Sequence, residues 1–259
     1  MVELDGRSGA TGPRTRTLTK VVRQPGMWFD DLVINGIGQP AAGADDPLAA
    51  PNYATFAPLL RESGCRRCVL AATRTNIVVD RGDPTARIMA IGEGPGEQED
   101  LAGRAFVGRA GRVLDELLRA VGLDPERHLL IANVVKCRPP GNRVPHADEV
   151  AACIPYLRRQ IELVAPHTVL LLGATSYRHF VPTQKSFAME REVGRRFLLE
   201  AWPGIAFYAL YHPAYLLRSP GKKPLALGHL EKVREEIEAQ GQWPAQRPHG
   251  RERPTMASP

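Results

Sequence analysis

The chain has 259 residues and a formal net charge of +6. Its apolar share of 43% is enough for a real core, yet no apolar run approaches the roughly 18–20 residues of a membrane span. The first residues carry no apolar signal-like segment, so the expectation is a cytoplasmic, monomeric protein whose basic balance leans toward a polyanionic partner.

Residues 1–50 are rich in Gly, Ala, Pro and Asp and poor in periodicity. They are expected to be an N-terminal extension, partly disordered, with Pro40–Pro47 as a linker and Trp28, Phe29, Leu32 and Ile34 as possible anchors. A short helix is expected over 52–63. From 51 to 240 the pattern alternates. The strand candidates are Arg87–Ile91, Leu129–Val135, Thr168–Leu172 and Ile205–Leu210. Between and after them lie helical spacings over Gly108–Val121, Ala147–Val164, Ala174–Phe180 and Leu225–Ala239. Alternation of this kind predicts an α/β protein, a parallel sheet with helices on both sides. Residues 241–259, rich in Pro and Arg, are expected to be a disordered tail.

The polar and glycine-rich motifs all fall at the carboxyl ends of the strand candidates. The first runs into Gly92-Glu93-Gly94-Pro95-Gly96, with Glu97, Glu99 and Asp100 close behind and Phe106 in a second glycine-rich loop. The next holds Asn133 and continues into Lys136–Arg143, a basic and Pro-rich stretch suited to phosphate. The last ends in Tyr211-His212-Pro213. In a parallel sheet these ends share one rim, so Glu93, Asn133 and His212 converge although more than a hundred residues separate the outermost pair. Beyond His212, Leu216 and Leu217 read equally as a wedge or as core, and Arg218 as a phosphate contact. Cys65 and Cys68 form a C-x-x-C pair, and Cys137 and Cys153 lie far downstream. One four-thiolate site is the tidier reading; zinc and an iron–sulfur cluster both satisfy it, with the wide second pair tilting toward the cluster.

The stretches 92–100, 103–111, 133–143 and His212-Pro213-Ala214 resemble the family 4, iron–sulfur, uracil-DNA glycosylases over about residues 58–235. The resemblance implies a three-layer α/β/α sandwich with a four-stranded parallel sheet, and excision of uracil from DNA as the start of base excision repair. It implies a structural 4Fe–4S cluster on Cys65, Cys68, Cys137 and Cys153. Phe106 would then stack on the flipped base, Asn133 would bond its O4 and N3–H edge, and His212 would sit at O2. Gly92 would belong to the base pocket and Glu99 would crowd C5. Glu93 would act on water or on the cationic sugar, and Arg138, Arg143, Leu216 and Arg218 would meet DNA. A sister group that traps uracil covalently has a Gln in the first motif and a His-containing loop; here Glu93 stands in that motif and residues 103–111 hold no His. Two other readings stay open on the residues alone: a damage-binding module without cleavage, and a zinc protein with a nucleotide-binding fold.

Overall fold

A computed structural model of the chain describes residues 19–22, 45–182 and 187–244. The strands are β1 (Thr19–Val22), β2 (Arg81–Gly82), β3 (Ile88–Gly92), β4 (Leu129–Asn133), β5 (Thr168–Leu172), β6 (Arg196–Leu199) and β7 (Ala206–Leu210). The helices are α1 (Tyr53–Glu62), α2 (Glu97–Ala102), α3 (Arg109–Ala120), α4 (Ala147–Val164), α5 (Gly173–Phe180), α6 (Pro213–Arg218) and α7 (Lys223–Ala239). Each of β3, β4, β5 and β7 is buried along its whole length. Such strands carry apolar side chains on both faces, and so they read in the sequence as continuous rather than alternating runs.

All seven strands form one sheet in the order β1-β6-β7-β5-β3-β4-β2. Its centre, β7-β5-β3-β4, is parallel throughout. The expected four-stranded parallel sheet is therefore too small an account: β2 adds antiparallel to β4, β6 adds antiparallel to β7, and β1 pairs with β6, making a mixed sheet. β1 lies inside the expected N-terminal extension, and Pro47 and Ala50 are already buried ahead of the expected boundary at 51. The anchors suggested at 28–34 and the tail from 245 onward lie outside the described residues.

Alternate residues of the central strands point to opposite faces. Met89, Ile91, Leu130 and Ala132 join one core with residues of α1, α4 and α5. Ile88, Ala90, Leu129 and Ile131 join another with Leu114 and Leu118 of α3 and Leu230, Val233 and Ile237 of α7. Helices thus cover both faces. No helical spacing is read in the sequence over 97–102, yet α2 stands there, with Glu97, Glu99 and Asp100 in its first turn, where the helix dipole favours negative charge.

Candidate active site

Because β3, β4, β5 and β7 run parallel, their carboxyl ends meet along one edge of the sheet. A cleft of about 690 Å³ opens there, lined by Glu93, Phe106, Asn133, His212, Leu217 and Arg218 among others. The three residues expected to converge do so.

Gly92 sits at the floor. A Cβ built on it would lie 2.4 Å from Phe106 Cζ and 2.6 Å from Asn133 Oδ1, so only glycine lets ring and amide approach the strand this closely. Phe106 itself has φ +53°, a left-handed backbone that costs an L residue about 1–2 kcal/mol. Its carbonyl accepts from Arg81 Nη1 at 2.8 Å. A Cβ on Gly111 would lie 1.7 Å from that same carbonyl oxygen. Its ring is 5% exposed and lies 6.0 Å, centroid to centroid, from the His212 ring.

Asn133, the last residue of β4, is 1% exposed, and neither Oδ1 nor Nδ2 has a hydrogen-bond partner within the protein. A buried amide without partners is costly, about 1–3 kcal/mol for each group, and in a native protein it calls for a reason. Its position at the bottom of a cleft supplies one: both its donor and its acceptor are free for a ligand.

His212 caps α6. The Ala214 N–H donates to His212 Nδ1 at 3.1 Å. A ring nitrogen that accepts carries no proton, so the proton of the neutral ring sits on Nε2, the other side of the imidazole. Burial, with the nearby Arg218 charge adding to it, pushes the His212 pKa down to about 4. The ring is neutral at pH 7 and offers one fixed N–H. Gly173, at φ +87°, leaves room for it, since a Cβ there would stand 2.7 Å from His212 Cβ.

Glu93 is half-buried and accepts a short hydrogen bond from Thr175 Oγ1 of α5. The sequence places Thr175 at the end of the third strand candidate, on the shared rim, but gives it no role; the fold sets it opposite Glu93. Glu99 lines the cleft, but its carboxylate is engaged with backbone: Oε2 accepts from Gly96 N at 3.1 Å and Oε1 from Gly108 N at 2.6 Å. It staples the two glycine-rich loops together, a role the expected C5 contact did not include.

Around the mouth, one expectation changes. Leu216 was expected to meet DNA; it is fully buried, packed with Val113, Val193, Tyr211 and Ala226. α6 turns its neighbour outward instead, and Leu217 is 39% exposed on the cleft. Arg143 lines the cleft with its guanidinium already bonded through two nitrogens to the fully buried Glu149. Arg138 pairs with Glu97 at 3.5 Å and Asn142 at 2.8 Å. Arg218 is exposed, at the cleft's edge.

The four thiols lie apart from this cleft. Cys65 and Cys68 follow α1, Cys137 follows β4, and Cys153 lies in α4; all four line one cavity of about 20 Å³. Three receive donors: Tyr156 Oη on Cys65 at 3.7 Å, Arg74 Nη1 on Cys137 at 3.5 Å and the Lys136 N–H on Cys153 at 3.3 Å. Burial raises the pKa of Cys68 in the C-x-x-C pair, the opposite of the lowered pKa that a redox pair exploits, and it pushes Cys137 up to about 11 and Cys153 to about 12. Among the described residues, no three His, Cys, Asp or Glu side chains meet closely enough to hold one metal ion. Lys136 joins the two regions: it is 1% exposed, and its Nζ donates to the Asn133 carbonyl at 2.8 Å.

An α/β scaffold carries a neutral histidine, an unpartnered amide and a buried aromatic ring in one cleft at the carboxyl edge of its sheet. The chain belongs to the uracil-DNA glycosylase superfamily: the family model described as "Uracil DNA glycosylase superfamily" matches residues 79–237. Within that superfamily it groups with the type-4 branch. It is 42% identical to the type-4 uracil-DNA glycosylase of Thermotoga maritima over 183 residues, covering 70% of this chain and 93% of that protein. The type-4 uracil-DNA glycosylase of Sulfurisphaera tokodaii is 39% identical over 66% of this chain and 79% of its own length. The type-5 uracil-DNA glycosylase of Pyrobaculum aerophilum is 32% identical over 78% of this chain and 89% of its own.

Proposed function

We propose that the chain takes uracil out of DNA and hydrolyses its N-glycosidic bond, opening base excision repair. The carrying observation is the Asn133 side chain, buried in the cleft with both polar atoms free. Uracil offers the matching pair, an acceptor at O4 for Nδ2 and a donor at N3–H for Oδ1. Extrusion costs a few kcal/mol of unstacking. The Phe106 ring offers a stacking face, and base–aromatic stacking returns about 1–3 kcal/mol.

As the bond from C1′ to N1 breaks, its electron pair moves into the base and charge builds on O2. The His212 Nε2–H is a fixed donor for that oxygen, and its neutral ring keeps the donor from transferring a full proton at the outset. Glu93, held by Thr175, supplies a negative charge beside the cationic sugar and an acceptor for the attacking water. Uracil leaves as its anion, water adds at C1′ and gives up a proton to Glu93, and the uracil anion takes a proton from solvent. Leu217 and Arg218 at the mouth fit a wedge into the vacated stack and a phosphate contact.

We further propose a structural 4Fe–4S cluster on Cys65, Cys68, Cys137 and Cys153. The donor set fits. Four thiols ring one cavity, and N–H or O–H donors already address three of the sulfurs. The cluster would tie the loop after α1 to α4 and to the stretch that follows β4.

The test is an oligonucleotide with one dU, incubated with anaerobically purified protein and then treated with alkali. Cleavage at the dU and not at a thymine control is expected; intact strands at high enzyme concentration would reject the reading. The same protein is expected to absorb near 400 nm, and colourless protein with stoichiometric zinc would reject the cluster.

A further inference from the structure

We infer that Arg81 is a positioning residue for base stacking, acting through the backbone of Phe106; this rests on the uracil-pocket reading above. Arg81 is a charged residue only 5% exposed. Its backbone is fixed in β2, opposite Ile131 of β4, the strand that ends in Asn133. Its guanidinium spans three elements. Nη1 donates to the Phe106 carbonyl at 2.8 Å, Nη2 is bonded to Asp115 of α3, and Nε lies 3.5 Å from Glu126.

The carbonyl it grips belongs to a phenylalanine in the left-handed region, φ +53°. Such a conformation persists only where the surroundings over-determine it. Two features do so. Gly111 has no Cβ, which would otherwise lie 1.7 Å from that oxygen, and Arg81 supplies a donor on the side to which the carbonyl turns. With the peptide so turned, the ring reaches the floor of the cleft beside Gly92 and His212. Without the guanidinium, the peptide is free to relax to φ below zero and the ring leaves the cleft. Asp115 in turn orients the guanidinium, so the plane of the stacking ring is set from the sheet edge and α3 together.

The experiment measures inhibition by free uracil, together with kcat and KM on the dU oligonucleotide, for the parent, R81Q, R81K, F106L and R81Q/F106L. R81Q is expected to weaken uracil inhibition by about fivefold or more, as F106L does, a base–aromatic stack being worth at least that factor. R81Q is also expected to leave binding to an undamaged oligonucleotide unchanged. R81K, which keeps a donor but not the fork to Asp115, should fall between. The double variant should be no weaker than F106L alone, because Arg81 acts through that ring. Losses that add in full, or an R81Q that uracil inhibits as well as the parent, overturn the proposal while the uracil reading stands. A parent that neither excises uracil from the dU oligonucleotide nor is inhibited by free uracil overturns both. If R81Q does not fold, D115N carries the same comparison with F106L.

Discussion

Replacing Gly92 by Ala puts one methyl group where ring, amide and strand meet. The new Cβ would lie 2.4 Å from Phe106 Cζ and 2.6 Å from Asn133 Oδ1, against an ordinary contact distance of 3.4 Å and beyond. Neither neighbour has easy room to yield: Phe106 is held at its carbonyl and Asn133 is buried at a strand end. The ring must withdraw by about 1 Å, a misplacement that can cost about a hundredfold in rate. Overpacking itself costs about 1–3 kcal/mol, which the rest of the core tolerates. The assay is single-turnover excision on a single-dU duplex, with circular dichroism to show that the variant is folded. Gly228→Ala in α7, where a Cβ meets nothing within 4 Å, is the control and should be silent. A folded Gly92→Ala protein within twofold of the parent would refute the packing argument.

His212→Ala should lower the single-turnover rate by about 10²–10³, the loss expected for one donor aimed at a developing oxyanion; unchanged turnover would remove His212 from the mechanism. The same residue has a stability signature. Its folded pKa of about 4 lies below the ordinary 6.5, so the unfolded chain takes up the proton first. The stability held by the neutral ring is complete above about pH 6.5 and is lost as pH falls toward 4. Melting temperatures of the parent and of His212→Asn, which keeps a capping side chain, should therefore converge as pH falls from 7 to 4; parallel curves would contradict this. Leu216→Ala should destabilise the fold by about 2–5 kcal/mol in urea titrations, as a buried leucine does. Leu217→Ala should leave the urea midpoint nearly unmoved while weakening excision from duplex more than from single-stranded DNA. The reverse pattern would restore Leu216 as the wedge.

The central strands were legible because a strand buried on both faces must be largely apolar, and β3, β4, β5 and β7 are, with Thr168 and Asn133 standing only at strand ends. The edges were not. β2 has two residues, Arg81 and Gly82, and β6 is half-buried at alternate positions, so neither offers a run to detect. α2 was hidden behind Gly94-Pro95-Gly96 and carries charge where periodicity is usually sought. α6 had a readable start in His212-Pro213, a capping side chain followed by proline at the first position. Its six residues still left the phase open, which is why Leu216 and Leu217 were indistinguishable. In the site, Glu93, Asn133 and His212 could be brought together on paper, since parallel strands place their carboxyl ends on one edge. The pairing of Thr175 with Glu93 and of Arg81 with Phe106 could not be read, because each is selected by tertiary packing. The common site of Cys65, Cys68, Cys137 and Cys153 rested in the sequence on their number and on the family resemblance; the packing of α4 against α1 makes it spatial.

The measurement closest to the core of this account is the excision rate of Asn133→Asp on matched oligonucleotides carrying uracil or cytosine at one position. A carboxylate accepts from the 4-amino group of cytosine and has no donor for O4 of uracil. The cytosine-to-uracil ratio is expected to rise well above that of the parent. A ratio that stays where it was, in a folded and uracil-active variant, would mean that Asn133 does not read the base and that the cleft recognises something else.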